Sequence, residues 1–359
     1  MFKKQTGLTS YEPAPFTLTS MALLDSSPKR AYETKERTLS GIVSWGQRKL
    51  LMSEINFFNY YYSPTVHPNA LVVYIGAARG DHIPVLSDFF PELSFLLYDP
   101  SDFAPSVKRH AKIEVKREFF GIDTARYIRS QNSNRAIFFI SDIRTTDKAD
   151  NKPGPQNILL DNQLQWESIE ALMPVQSLLK FRLPYPDQWE TYMENNPSEH
   201  QPPLTEISTS YEYLKGKIFL QPWAPCRSTE TRLVPDIVNG RFVTTIYEAN
   251  DFQNRMFYHN MIVRETGFFY DPRLNPGAFY GPELLNDWDS TSEVFTLLDY
   301  LEKTDPGIKG APRTKIVNAI NALSSYITNN IQPEGAEPVT ISDVRRSLHR
   351  SIKLIRVKE

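Results

Sequence analysis

Leu71–Gly80 reads LVVYIGAARG. An apolar run of strand length passes straight into a short loop bracketed by Gly76 and Gly80, and His82–Phe90 has the composition of a following helix. Asp99 closes the next apolar run, Phe95–Tyr98. A strand, a tight turn and a helix N-terminus in this order form a cradle for a nucleoside-bearing cofactor. Glycine lets the backbone approach a ligand, and an acid at the end of the next strand can accept from ribose hydroxyls. The loop is G-x-x-x-G rather than G-x-G-x-x-G, which disfavours a dinucleotide, and it lacks the Lys-Ser/Thr of a phosphate-binding loop. S-adenosylmethionine carries a ribose without a phosphate and fits better. The competing reading is an ordinary strand–turn–helix with no ligand.

The surrounding elements continue the pattern. Gly41–Tyr62 has helical spacing, with Leu50, Leu51, Ile55, Phe58 and Tyr62 on one face. A short strand is expected around Lys112–Val115, helices over Ile122–Ser130 and Asn157–Pro174, and strands over Ala136–Ile140 and Val175–Phe181. Ala136–Ile140 is continuously apolar, as a strand buried on both faces should be. This alternation predicts an α/β, Rossmann-like fold with a doubly wound, mostly parallel sheet. Lys217–Leu220, Thr231–Val234 and Arg241–Tyr247 read as an antiparallel finish, and Phe252–Arg264 as a helix. Met193–Leu204 is a polar, proline-rich loop. Residues 1–40 read as an irregular arm, 41–275 as the main domain, and 276–359 as a helical extension with segments at Ser292–Lys303, Thr314–Ile327 and Ile341–Ile355.

Composition narrows the classes. The 359 residues hold 40 basic and 42 acidic side chains, so a nucleic-acid site has to be a local patch rather than a polybasic surface. One cysteine, Cys226, excludes an internal disulfide framework and a thiolate zinc cluster. No apolar run approaches the ~20 residues of a membrane span, and the N-terminus lacks a signal-peptide core. A soluble chain with no membrane partner is expected. The 18 Tyr, 21 Phe and 5 Trp are chiefly core, with a few left to stack on bases.

Four polar residues sit at expected strand ends or beside the loop: Lys49, Asp142, Lys180 and Glu230. A partly desolvated lysine beside another cation loses its proton more easily and can serve as a base toward a sugar hydroxyl. The acids would orient the ammonium groups. Read singly, each is ordinary: a solvated lysine, or an aspartate capping a helix.

The chain resembles the poxvirus-type cap-specific mRNA (nucleoside-2′-O-)methyltransferase family, whose members are also the small regulatory subunit of poly(A) polymerase. Four blocks carry the resemblance: GQRKLLMSEINFF (Gly46–Phe58), VVYIGAARGDHI (Val72–Ile83), FFISDIRT with LLKFRLPYPDQW (Phe138–Thr145, Leu178–Trp189), and LQPWAPCRSTETRLV (Leu220–Val234). The resemblance implies a metal-independent methyltransferase using S-adenosylmethionine on the ribose 2′-oxygen of the first transcribed nucleotide. It makes Lys49, Asp142, Lys180 and Glu230 the catalytic tetrad, with Lys180 as base. Gln47, Tyr74, Gly76, Gly80, His82 and Asp99 would surround the cofactor, with Phe119 or Phe120 at the adenine. Arg144, Arg182 and Arg232 fall where the family contacts RNA. Tyr185 and Asp187 fall where it grips 7-methylguanine, with Tyr32 as second aromatic.

Two departures stand out. Ser101 replaces an arginine two residues beyond the ribose-binding acid, and Gln253 stands where the family has a glutamate on the guanine edge. The implied partners are capped mRNA and a poly(A) polymerase catalytic subunit, and the implied location is the host cytoplasm or a virion. Alternatives are a non-enzymatic polymerase subunit that clamps RNA, or a methyltransferase acting on uncapped RNA or a small molecule.

Overall fold

The computed structural model describes residues 21–33, 45–146, 153–195, 207–225, 227–264 and 288–332. Cys226 and the expected helix at Ile341–Ile355 lie outside them, as do most of residues 1–40 and the boundary near 276.

An eight-stranded sheet organises the chain. Its parallel part is β2 (Leu71–Ile75), β3 (Ser94–Tyr98), β4 (Ile113–Lys116), β5 (Ile137–Ser141) and β6 (Gln176–Phe181), in spatial order β4-β3-β2-β5-β6. The chain steps outward from β2 to β3 and β4, then returns to the other side with β5 and β6. The reversal point between β2 and β5 is where such sheets open a crevice beyond their strand ends. Antiparallel β9 (Thr231–Pro235), β8 (Gly216–Phe219) and β1 (Ala22–Leu23) complete the far edge. β2 and β5 are buried along their whole length, which accounts for the unbroken apolar runs LVVYI and IFFIS.

Helix α1 (Gly46–Tyr61) covers one face of the sheet, where Leu51, Ile55, Phe57 and Phe58 pack against Phe138 and Tyr74. Helices α8 (Trp288–Thr304) and α9 (Arg313–Asn330) join the same core through Leu297, Leu298, Ile316 and Ile320. α4 (Ile122–Gln131), α5 (Pro155–Leu172) and α7 (Ala249–Tyr258) contribute to the core of the other face through Ala125, Ile169 and Phe252.

Among the described residues the expected elements are present, with local differences. Ala22 and Leu23, within the arm read as irregular, pair with Phe219 and Ile218. Two residues are too short a strand to leave a periodic signal. Arg241–Tyr247 is split: β11 (Arg241–Phe242) turns back on β10 (Ile237–Val238), and β12 (Thr244–Glu248) pairs with β7 (Ser210–Leu214). The helix expected at Phe252–Arg264 begins earlier, at Ala249, and widens over His259–Val263. α6 (Pro186–Asn195) takes up the start of the expected polar loop, whose residues from 196 lie outside those described. Among the described residues no helix is long and apolar enough to cross a membrane.

Candidate active site

Strand register assembles the site. Ile75 pairs with Ser141, and Ser141 with Leu179, so Gly76, Asp142 and Lys180 come level at the same end of the sheet. Antiparallel pairing sets Lys180 directly opposite Arg232. Two cations facing each other across strands ordinarily repel. Here each reaches the carboxylate of Asp142: Lys180 Nζ lies 2.8 Å and Arg232 Nη2 2.6 Å from Asp142 Oδ1. Lys180 also donates to the Asp142 carbonyl at 3.2 Å and stands 3.7 Å from Glu230 Oε2. From α1, Lys49 donates to Glu230 Oε1 at 2.6 Å. Arg144 pairs with Glu230 Oε2. The four residues expected to form a tetrad are therefore one contiguous cluster.

Burial governs its electrostatics. Desolvation alone would raise the Glu230 and Asp142 carboxyls, but the surrounding cations overcome it. Lys180, Lys49, Arg232 and Arg144 hold Glu230 well below 4.5, and Lys180 and Arg232 lead in holding Asp142 at about 2. Lys180 moves down from 10.5, first because its side chain is removed from water and then because Arg144 and Arg232 repel its charge. The sequence assigned the neighbouring-cation role to Lys49, whereas the structure gives it to the two arginines. Two carboxylates face four basic side chains, so positive charge remains in surplus even with Lys180 neutral.

Gln221 escaped sequence reasoning. Its Nε2 donates to the Glu230 carbonyl at 3.0 Å, and its Oε1 accepts from Arg232 Nε at 2.9 Å. It lies in the block LQPWAP, but no charge or spacing marked it as part of the site. Arg232 departs from its expected place on an RNA track: only 2% exposed, it spends its donors on Asp142, Gln221 and the Ser141 carbonyl. Arg182 is largely buried and donates to Gln188 Oε1 at 2.8 Å. Arg144, with 26% of its side chain exposed, stays partly open to solvent beside the cluster.

The loop after β2 rests on a buried polar chain. Tyr74 Oη donates to Glu54 Oε1 at 2.8 Å, His82 Nε2 lies 3.1 Å from the same oxygen, and His82 Nδ1 lies 2.7 Å from Gln47 Oε1. Burial and Glu54 push the Tyr74 phenol well above 10.0. Tyr74, His82 and Gln47 thus support the loop from beneath, and Glu54 is a partner the sequence did not single out. Gly76 (φ +70°) and Gly80 (φ +75°) both occupy the left-handed region. A Cβ on Gly76 would stand 2.6 Å from the backbone of Asp142 and Ile143, so glycine here lets the loop lie against the chain leaving β5. Asp99 accepts from Ala78 N–H at 3.1 Å and Ser101 N–H at 2.8 Å, which orients its carboxylate toward the loop. Ser101 therefore contributes a backbone donor. Phe119 is 83% exposed nearby, whereas Phe120 is half-buried against Tyr98.

The residues expected at the cap base divide. Tyr32 is held edge-on by Phe257 at 5.3 Å, with its N–H donating to Asn254 on α7. Asp187 is exposed in the first turn of α6. Both lie close enough to act on the Tyr185 phenol, which burial pushes up. Tyr185 and Gln253 are themselves buried, so neither offers a free face as expected: Tyr185 packs in the core beneath β6, and Gln253 sits on the core side of α7.

The family described as "Poly A polymerase regulatory subunit" matches residues 19–272. The cap-specific mRNA (nucleoside-2′-O-)-methyltransferase of Myxoma virus (strain Lausanne) is 27% identical over 249 residues, covering 67% of this chain and 67% of that protein. The protein of the same name from Fowlpox virus (strain NVSL) is 29% identical over 230 residues, covering 61% of this chain and 68% of its own length. Among solved structures, human methyltransferase-like protein 13 in complex with SAH aligns at a TM-score of 0.33 with 10% identity, over 59% of this chain and 91% of that one.

Proposed function

The chain belongs to the poly A polymerase regulatory subunit family, and from that premise we propose that it methylates the ribose 2′-oxygen of the first transcribed nucleotide of capped mRNA. The observation that carries the reading is the buried Lys49–Glu230–Lys180–Asp142 cluster at the ends of β5 and β6, beside the loop after β2. The viral relatives, named for this activity, support it.

The donor set suits S-adenosylmethionine. The Asp99 carboxylate accepts from two backbone N–H groups, and its remaining lone pairs can accept from a ribose diol. Bound there, the cofactor would supply an electrophilic methyl group on a sulfonium.

Lys180, in its neutral form, takes the proton from the 2′-hydroxyl as the oxygen attacks. Asp142 holds the amine in place through its carboxylate and carbonyl. Lys49, fixed by Glu230, orients the nucleophilic oxygen from the α1 side. Base catalysis of this kind contributes ~10²–10⁴ in rate, and alignment of the two reactants supplies much of the rest. Tyr32 and Asp187, both near enough to Tyr185 to act on its phenol, would hold 7-methylguanine, whose cationic ring an aromatic face and a carboxylate both favour.

Methyl transfer to short RNAs that are capped, uncapped, or capped and already 2′-O-methylated tests the proposal. The capped, unmethylated RNA should be the substrate, and the premethylated one inert. Equal transfer to uncapped RNA would replace the cap-specific reading. The family description favours a second, coexisting role as a regulatory subunit for poly(A) polymerase. Lys180→Ala should leave any stimulation of polyadenylation intact while stopping methyl transfer.

A further inference from the structure

The crossover helix α5 buries an unusual face. It connects the parallel strands β5 and β6, so its N-terminal half lies toward the strand ends that carry Asp142 and Lys180. Its C-terminal half gives Ile169 and Leu172 to the core, as an amphipathic helix should. Nearer its start the buried residues are instead Asp161, Asn162 and Gln165, at 9%, 7% and 1% exposure. Polar side chains buried against a sheet are costly unless they are hydrogen-bonded.

Their partners belong to the segments that carry the catalytic cluster. Gln165 Nε2 donates to the Lys180 carbonyl at 3.0 Å, and Asn162 Nδ2 to the Arg182 carbonyl at 3.3 Å. Asp161 accepts from the Thr145 N–H at 3.0 Å and from the Thr145 hydroxyl at 2.7 Å, just beyond Asp142. Pairing between β5 and β6 ends at Ser141 and Leu179, immediately before Asp142 and Lys180. The ladder thus stops joining the two segments where the cluster begins, and α5 side chains hold both of them there. Gln165 Oε1 is itself buried without a partner, so the amide is oriented for what its nitrogen donates.

We propose that Asp161, Asn162 and Gln165 are positioning residues for methyl transfer. They fix the backbone of β6 and of the loop after β5, so that Lys180 and Asp142 keep their 2.8 Å contact. They act through the backbone and not on the reacting atoms. The inference rests on Lys180 being the base. A catalytic group misplaced by about 1 Å can slow a reaction by about 10².

Single-turnover methyl transfer to capped RNA, with cofactor and RNA saturating, tests it in the full chain. Melting and both affinities are measured alongside. Gln165→Met keeps the side-chain volume but loses the donor, and should be about tenfold slower or more. Asp161→Leu should be slowed by a similar factor. Asp161→Asn should restore most of the rate, because its oxygen can accept from the Thr145 N–H and its nitrogen can donate to the hydroxyl. All three should bind both ligands within about twofold of the wild type, since neither ligand site is altered. A lowered melting temperature with an unchanged rate would make the stripe a matter of stability only and overturn the proposal. Asp161→Asn as slow as Asp161→Leu would also overturn it. Should Gln165→Met fail to fold, the Asp161 pair decides. Lys180→Ala separates the two levels of the account. If it reacts like the wild type, the base assignment and this inference fall together. If it is inactive while Gln165→Met and Asp161→Leu react normally, the positioning role alone is wrong.

Discussion

At Lys180 the cost of burial competes with attraction to two carboxylates. Asp142 and Glu230 favour the ammonium, while desolvation, Arg144 and Arg232 favour the amine, and the second group prevails. A base must be deprotonated to act, so turnover should rise with pH through an inflection below 10.5. Arg144→Gln removes one repelling charge and should move that inflection upward. A pH profile of single-turnover methyl transfer reads both, and an identical inflection in the variant would exclude Arg144 from the tuning. Arg232 was the harder residue to place from sequence. The family resemblance put it against RNA, but β6–β9 register turns it inward, and pairing register is invisible without the sheet.

α1 is held from two sides. Arg48 and Lys49 are consecutive and so point in directions ~100° apart. Lys49 enters the catalytic cluster, and Arg48 enters a buried network with Glu293 of α8 and Ser324 and Thr328 of α9. Arg48 leads the cations and donors that hold Glu293 below 4.5 against burial. Arg48→Met strands that carboxylate and should cost about 3–5 kcal/mol, the usual penalty for breaking a buried pair. Chemical denaturation measures it; a loss under ~1 kcal/mol would mean that the pair adds little to native stability. The helix was legible from its apolar face at Leu51, Ile55 and Phe58. The partner of Arg48 was not, because Glu293 lies 245 residues away and nothing local links the two.

Across the whole molecule, the parallel strands could be read from their apolar runs because they are buried on both faces, and Asp142 and Lys180 from their places at strand ends. What escaped was long-range or short: the two-residue β1, the split of Arg241–Tyr247, and uncharged Gln221. The assembled charges also fix the acid response. Asp142, Glu230 and Glu293 all have native pKa values below their unfolded values of 3.8 and 4.5. Their contribution is complete above those values and disappears as pH falls through the native ones. Asp289, raised by burial despite Arg264, works in the opposite sense. The denaturation midpoint should therefore fall steeply below about pH 4.5, and more gently in Glu230→Gln. Parallel curves would contradict this.

The central claim is that Lys180 is the base. Its most direct test is single-turnover methyl transfer to a capped RNA by Lys180→Arg and Lys180→Ala, with cofactor and RNA affinities measured alongside. Arginine keeps the positive charge but stays protonated, so both variants should bind both ligands and lose ~10² or more in rate. Activity within a few-fold of wild type in Lys180→Arg would contradict the account, because a permanent cation would then suffice where a proton acceptor is required.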